Sequence, residues 1–171
     1  FNGEGGHKFE NITSNIDVIG TTCDVGGLFG MAHYGNKFVN CSCSGNVSIT
    51  EAAEAADAEE MGGIAGVWHN ETGYTVSFDN CVFTGTLTAN ITEGLDLSDN
   101  TIVGKAYSAS GKGVLLINGG QSLAGYPSIF VKDNEYMIFN LAGLKDLNKF
   151  FKNNSMANDT WGRTYSIGAD I

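Results

Sequence analysis

The chain has 171 residues, with 9 Lys plus Arg against 19 Asp plus Glu and a formal net charge of −10. The shortage of cationic side chains argues against a nucleic-acid partner and against binding to an anionic membrane. The sequence contains no apolar run of the length that crosses a bilayer, and its start has no signal-peptide pattern. The chain opens abruptly at Phe1, which we interpret as a mature or trimmed piece.

Four related segments recur from the start of the chain onward. Each has a large apolar residue two positions before an asparagine; the four pairs are Phe9 and Asn11, Phe38 and Asn40, Phe78 and Asn80, and Leu116 and Asn118. A second motif recurs in step with them, as GGLFG ending at Gly30, GGIAG ending at Gly66 and TIVG ending at Gly104. Recurrence at roughly 30 to 40 residues indicates a repeat architecture.

The runs between these motifs alternate apolar and polar residues, as in Val47, Ser48 and Ile49. A period of two predicts short strands, and the 24 glycines suit the turns between them. One such repeat cannot bury its apolar face alone, whereas stacked repeats bury a continuous core. We therefore predict an all-β fold, a β-solenoid of mainly parallel strands, over residues 1–125.

Equivalent residues of neighbouring repeats lie above one another in a stacked coil. We predict an inward-facing ladder of side-chain amides formed by Asn11, Asn40, Asn80 and Asn118. We predict an apolar stack beside it formed by Phe9, Phe38, Phe78 and Leu116. Cys41 and Cys81 would fill the space next to the ladder.

The four cysteines are Cys23, Cys41, Cys43 and Cys81, and no two of them form a CxxC pair, so we expect no zinc site from them. Cys41 and Cys43 project to the same side of a strand. Two alternatives stay open, namely buried free thiols, which we favour, and disulfides in one of three full pairings.

Seven Asn-x-Ser/Thr sequons occur, which is more than the composition predicts by chance. Asn11 and Asn40 belong to the predicted ladder, so we expect them to be buried. The other five are predicted to lie in accessible turns or loops: Asn46, Asn70, Asn90, Asn153 and Asn158. They are candidate N-glycosylation sites if the source is eukaryotic, and ordinary turn residues if it is bacterial.

An acidic, Ala-rich insert, Glu51–Met61, interrupts the repeats and is predicted to be a short helix or loop with a solvated face rather than a Ca²⁺ site. Residues 126–171 are predicted to form a C-terminal strand–helix–strand segment. Its helix would carry one apolar stripe formed by Leu141, Leu144, Leu147 and Phe151. This segment would cap the repeats or start a further unit.

Chemistry-bearing residues are sparse, because Asp79 is isolated and Arg163 lies in the tail. We expect no catalytic residues, since glycosidases need two facing carboxylates. His33 and His69 follow their Gly motifs at equivalent positions, so two stacked imidazoles could bind a metal. The next repeat places Tyr107 there, so a third ligand is missing and a plain stack is favoured. Trp68 and Tyr74 could instead form an aromatic platform for a sugar.

VGGLFG with the following FVNCSCSGNVS, and MGGIAG with FDNCVFTGTLT, resemble the GLUG-motif repeats of gut-bacterial surface proteins and streptococcal IgA peptidases. FNGEGGHKFENI resembles the segment that precedes the first such repeat, and EYMIFNLAGLKDLNKFF with TYSIGADI resembles the start of a new unit. The third repeat departs from the pattern, since it lacks the Gly-Gly pair. The resemblance implies a right-handed parallel β-helix and a role in surface adhesion or scaffolding, with no catalytic residues to carry over.

These observations favour a non-catalytic extracellular or cell-surface module for adhesion or scaffolding, with a glycan or a surface protein as partner and no cofactor or metal. The alternative is a subunit or tandem link of an extracellular filament that self-associates end to end. A polysaccharide-active enzyme is the third hypothesis, because β-helices also carry such enzymes.

Overall fold

The computed structural model describes residues 6–69, 71–95, 97, 101–106, 113–123, 126–133, 135–139, 141–154 and 163–167. Within these residues the fold is mainly β with few helices, and none of the sheets closes on itself. The chain forms two compact units, residues 1–118 and 119–171, so the first ends somewhat before the predicted boundary at residue 125. In the part of the chain that the structure describes, no helix is long and apolar enough to cross a membrane.

The first unit consists of short strands that recur in four repeats. The first repeat holds β1 (Lys8–Glu10), β2 (Thr13–Ser14), β3 (Val18–Gly20), β4 (Val25–Gly26) and β5 (Phe29–Ala32). The second holds β6 (Lys37–Val39), β7 (Ser42–Cys43), β8 (Val47–Ile49), helix α1 (Ala55–Ala58), β9 (Met61–Gly62) and β10 (Ala65–Trp68). The third holds β11 (Thr75–Asp79), β12 (Val82–Phe83) and β13 (Leu87–Ala89), and the fourth holds β14 (Val114–Ile117).

Equivalent strands of neighbouring repeats pair in parallel and form five stacks. The stacks are β1-β6-β11-β14, β2-β7-β12, β3-β8-β13, β4-β9 and β5-β10. The β5-β10 stack is extended by two single bridges, one between Ala65 and Val103 and one between Trp68 and Ala106. Among the described residues, the first two repeats thus contribute one strand to every stack, the third contributes to three stacks and the fourth to one.

The predicted aromatic stack is present inside this unit. Phe9 lies opposite Phe38, and Phe38 opposite Phe78. Their rings are nearly parallel, with centroids 5.2 Å and 4.7 Å apart. Phe38 and Phe78 are completely buried, which stabilises the unit through the hydrophobic effect and through ring stacking.

The prediction that Leu116 is the fourth member of that stack is wrong. Phe78 pairs with Ile117, whereas Leu116 lies opposite Ser77. The β11–β14 register is shifted by one residue relative to the spacing of the asparagines. Because side chains alternate along a strand, this shift places Ile117 inside, 5% exposed, and leaves Leu116 only half-buried.

The recurring glycines allow neighbouring repeats to approach closely. A β-carbon at Gly66 would lie 2.5 Å from the backbone nitrogen of Val25, and one at Gly27 would lie 2.3 Å from the carbonyl oxygen of Gly63. Real β-carbons do not tolerate such distances to backbone atoms. The Gly motif therefore marks the places where one repeat packs backbone to backbone against the next.

The asparagine ladder is present but faces solvent, which corrects the expectation that it is buried. Asn40 Nδ2 donates to Asn11 Oδ1 at 3.1 Å, and Asn80 Nδ2 donates to Asn40 Oδ1 at 2.9 Å. The backbone nitrogen of Asn80 donates to Asn118 Oδ1 at 2.7 Å. All four asparagines are exposed, so the amides link turns at the surface rather than in the core.

Backbone conformation explains why these positions are asparagine. Their φ angles are 60° at Asn11, 53° at Asn40, 51° at Asn80 and 50° at Asn118. This left-handed region costs most residues about 1–2 kcal/mol, whereas asparagine tolerates it and can bond locally. Each ladder residue therefore forms the turn and ties it to the next repeat.

The acidic insert is anchored rather than wholly solvated. Ala52 and Ala58 are 6% and 0% exposed and pack in a core cluster with Val47, Ile49 and Met61. The backbone nitrogen of Ala52 donates to Asn90 Oδ1 at 2.9 Å. Only one short helix, α1, forms between residues 51 and 61.

The second unit is a sheet packed on one helix. It contains β15 (Gly120–Leu123), β16 (Tyr126–Lys132), β17 (Glu135–Ile138), helix α2 (Leu141–Asn154) and β18 (Thr164–Ile167). β16 runs antiparallel to both β15 and β17, while β18 pairs in parallel with β17. The core contains Ile129, Tyr136 and Phe150, and partly buried Leu147 packs against it. The predicted apolar stripe of α2 is wrong at its last residue. Phe150, 7% exposed, is the buried phenylalanine, whereas the predicted Phe151 is 40% exposed.

We predict that Asn80→Gly and Asn80→Ala destabilise the protein to different extents. Glycine keeps the positive φ and loses the amide hydrogen bonds, which costs about 1 kcal/mol. Alanine also adds the left-handed strain, so its total is about 2–3 kcal/mol. Urea unfolding of both variants, with Thr84→Ala as an exposed control in the same unit, measures the difference. Equal stability of the alanine variant and the unmodified protein would contradict the ladder's structural role.

Candidate functional site

The two repeat-equivalent histidines come together at the ends of paired strands. Trp68 lies opposite Ala32 in the β5–β10 pair, and His33 and His69 directly follow these residues. The backbone nitrogen of His69 donates to the carbonyl oxygen of Ala32 at 2.8 Å. The imidazole centroids are 4.6 Å apart, with the ring planes inclined by 55°.

Two tyrosines complete what we call the imidazole–tyrosine cluster, His33, Tyr34, His69 and Tyr74. The Tyr34 ring lies 4.7 Å from His33, 5.4 Å from His69 and 5.2 Å from Tyr74. Tyr34 and Gly35 have φ angles of 32° and 74°, which form the turn that directs the Tyr34 ring toward the histidines. Tyr34 is not among the residues predicted for this surface, although its position next to His33 in the sequence HYG is a usable signal.

Glu71 adds a carboxylate to this cluster. Its Oε2 lies 3.4 Å from His69 Nδ1, and its side chain is 45% exposed. The Glu71 nitrogen donates to the His69 carbonyl at 2.9 Å, so a tight turn holds the carboxylate beside the ring. Glu71 is not among the predicted site residues, because the equivalence of positions in different repeats does not mark it.

The electrostatic environment of His33 favours its neutral form. Burial lowers the pKa of His33, and the neighbouring His69 lowers it further, while Glu71 and Asp24 act in the opposite direction. His33 Nδ1 is buried and has no hydrogen-bond partner among the described residues. A buried ring nitrogen of a neutral imidazole without a partner is a potential metal ligand or hydrogen-bonding site.

The predicted aromatic platform of Trp68 and Tyr74 is not formed. Among the described residues, the ring contacts of Tyr74 are with Tyr34, and no ring contact joins Trp68 to Tyr74. Trp68 is the last residue of β10 and lies opposite Ala32 of β5. The platform therefore consists of tyrosine and histidine instead.

A groove of about 230 Å³ adjoins the cluster at the first repeat. Its lining residues are His7, Phe9, Phe29, Met31, His33, Tyr34 and Asn36. The Phe29 ring contacts Phe9 and Phe38, each at 4.8 Å, so the groove floor is continuous with the aromatic stack. Its rim carries imidazole and amide groups, and Asn36 Oδ1 accepts from the His7 backbone nitrogen at 3.1 Å.

A second group of potential ligands lies where β4 and β9 begin. Ligand atoms of Cys23, Asp24 and Glu60 lie within 4.8 Å of one another. Lys105 Nζ lies 3.5 Å from Glu60 Oε1 and also donates to the carbonyl oxygen of Ala56. The ammonium group neutralises one carboxylate of this cluster, which weakens its attraction for a cation.

The four cysteines are free thiols that differ in exposure. Cys41 and Cys43 are buried, and Cys81 is partly buried, in line with the predicted small apolar fillers. The Cys81 thiol donates to the Phe38 carbonyl at 3.6 Å, and the Cys41 thiol to the Phe9 carbonyl at 3.7 Å. Burial raises the pKa of the Cys81 thiol to about 11.

The candidate glycosylation sites differ in how their amides are used. Asn46, Asn90 and Asn153 are exposed, as predicted, while Asn70 and Asn158 lie outside the described residues. Nδ2, the atom that would carry a glycan, donates to the Ala52 carbonyl in Asn90 and to the Tyr126 hydroxyl in Asn153. Asn46 binds Thr86 through its amide oxygen. The two sequons that we expected to be buried, Asn11 and Asn40, are exposed.

Asp79 and Arg163 lie in different environments. The Asp79 carbonyl accepts from the Asn40 backbone nitrogen at 2.9 Å within the first unit. The Arg163 guanidinium lies over the Tyr136 ring, 5.3 Å from its centroid, in the second unit.

Comparison of the chain with protein-family models, with curated proteins and with solved structures found no match to any of them.

We predict that the cysteines are alkylated at different rates at pH 8. The exposed Cys23 should react with iodoacetamide first, and Cys81 should react slowly, since about one Cys81 side chain in a thousand is a thiolate at that pH. Peptide mass spectrometry over a time course measures the order. In denaturant, all four should react at similar rates. Rapid labelling of Cys81 in the folded protein would show that this thiol is not buried as described.

Proposed function

We propose that the first unit is a right-handed β-solenoid that serves as a non-catalytic scaffold or adhesion module at the cell surface or outside the cell. The observation that carries this proposal is the parallel, in-register stacking of equivalent strands, Phe9, Phe38 and Phe78 being one example. Such a stack extends a stiff surface by adding repeats and needs no catalytic centre. The handedness and the surface location rest on the resemblance to GLUG-motif repeats.

Asparagine turns at the surface support the same proposal. The Asn11–Asn40–Asn80 amide chain gives one face of the stack a regular polar texture. The groove beside the imidazole–tyrosine cluster offers aromatic rings next to polar groups, the combination that suits a glycan partner. A glycan or a surface protein is therefore the partner class that we propose.

We predict that the protein binds without turnover when it is incubated with neutral and acidic polysaccharides. The expected result is no increase in reducing ends or unsaturated products, because Asp79 lies opposite Val39, and not opposite a carboxylate, in the β6–β11 pair. Heat-denatured protein is the control. Turnover that disappears in the Asp79→Asn variant would replace the scaffold proposal with the enzyme hypothesis.

A second candidate function, a link in an end-to-end array, is favoured by the first repeat. β1, β2, β3, β4 and β5 each lie at an end of their stack. Each therefore has one edge that pairs with no other described strand, and such edges recruit another strand unless they are blocked. Beside them, Ile16 and Ile19 are 69% and 72% exposed.

We predict concentration-dependent association of the 171-residue chain through this edge. The Ile16→Lys, Ile19→Lys double variant should be monomeric, because cations on an edge oppose strand pairing. The matched control is Ser44→Lys, which changes an exposed residue directly after β7, a strand that is paired on both edges, and it should associate normally. Sedimentation velocity over a wide concentration range measures both. A monomer throughout would exclude the array and leave the scaffold proposal unaffected.

A further inference from the structure

We propose that His33, His69 and Glu71 form a binding site for a divalent transition-metal ion of the Zn²⁺ class. The inference is independent of the proposed scaffold function, because it rests on side-chain geometry alone. Two imidazoles and one carboxylate form a ligand set that zinc uses in proteins, with a fourth position left for water or another ligand.

The spacing of His69 and Glu71 already suits such an ion. Zinc binds imidazole nitrogen and carboxylate oxygen at about 2.0–2.2 Å in tetrahedral geometry, so two such ligands lie about 3.4 Å apart. His69 Nδ1 and Glu71 Oε2 are 3.4 Å apart. One ion can therefore contact both atoms without a change in their separation.

His33 supplies the third ligand from the neighbouring repeat. Its ring centroid lies 4.6 Å from that of His69, and its Nδ1 is buried with no hydrogen-bond partner among the described residues. Such an atom has lost its hydrogen bond to water and has no protein partner in its place. A bond to a metal ion would compensate for that loss. Glu71 Oε2 is likewise buried without a hydrogen-bond partner in the described chain.

The ligand atoms of His33, His69 and Glu71 lie near one another but are not yet placed to bind one ion together. The group whose ligand atoms all lie within 4.8 Å of one another is Cys23, Asp24 and Glu60, so the histidine site requires a rotation of its rings or carboxylate. Glu71 is 45% exposed and stands on a turn, which leaves its side chain room to rotate. Tyr34 packs against both imidazoles and limits how far they move.

The charges around the two ligand sets favour metal binding at the histidine site over the group that contains Cys23. Glu60 already has the Lys105 ammonium at 3.5 Å, which competes with a cation. No ion pair with a cationic side chain is recorded for Glu71 among the described residues, and its carboxylate oxygen lies 3.4 Å from His69 Nδ1. The two sites can be separated by substitution, because no residue is common to both.

The test is a calorimetric titration with ZnCl₂ of the full chain, from which bound metal has first been removed with a chelator. We expect one ion per chain, with the affinity reduced at least about tenfold in His33→Gln, His69→Gln and Glu71→Gln. Cys23→Ser is the matched control and should bind like the unmodified protein. Thermal unfolding by circular dichroism confirms that each variant is folded.

Imidazole NMR of the unmodified protein decides the assignment even where a variant fails to fold. Zn²⁺ should shift the ring nitrogen signals of His33 and His69 and leave those of His7 unchanged. Unmoved His33 and His69 signals, unchanged affinity in both histidine variants, or affinity lost in Cys23→Ser instead, would each overturn the proposal.

Discussion

The close backbone approach of neighbouring repeats at the Gly motif is the constraint on which the first unit depends. A β-carbon at Gly104 would lie 1.9 Å from the Gly66 carbonyl oxygen, and one at Gly66 would lie 2.5 Å from the Val25 nitrogen. Glycine is the residue that permits this contact. Because the repeats meet there without side chains, the residues that follow each motif are held in register, and His33 and His69 are among them.

The same constraint explains why apolar and amide residues repeat while the residues between them vary. Stacked phenylalanine rings gain dispersion and exclude water, and stacked amides donate and accept in turn. A column of carboxylates would repel instead. At the turn after β7, the column is therefore mixed: the Asn46 nitrogen donates to Asp17 Oδ1 at 2.7 Å, and the Thr86 nitrogen donates to Asn46 Oδ1 at 3.1 Å.

The stacking partners could be predicted from the sequence, because a repeat architecture places equivalent residues above one another. This reasoning finds the Phe9–Phe38–Phe78 stack and the Asn11–Asn40–Asn80 hydrogen bonds. It fails where the geometry is local. The exposure of the asparagines follows from their left-handed turns, and the Ile117 position from a register shift, neither of which the periodicity contains.

The candidate site is subject to the same limit. Equivalence of repeats predicts the contact between His33 and His69, because both directly follow paired strands. It cannot predict Glu71, which belongs to a turn of one repeat and has no counterpart to mark it. A comparison of equivalent positions alone therefore finds two ligands of the proposed site and misses the third.

A pair of ionisable residues is the exception in a stack of this kind. Two imidazoles 4.6 Å apart contribute no attraction when both are charged, and burial penalises the charged form of His33 further. An apolar pair at this position would stabilise the stack more than the histidines do. Two imidazoles with a carboxylate 3.4 Å from one of them are the ligand types of the metal site that we propose. The stacking constraint alone does not explain why this position holds histidines, and the proposed metal site would account for them.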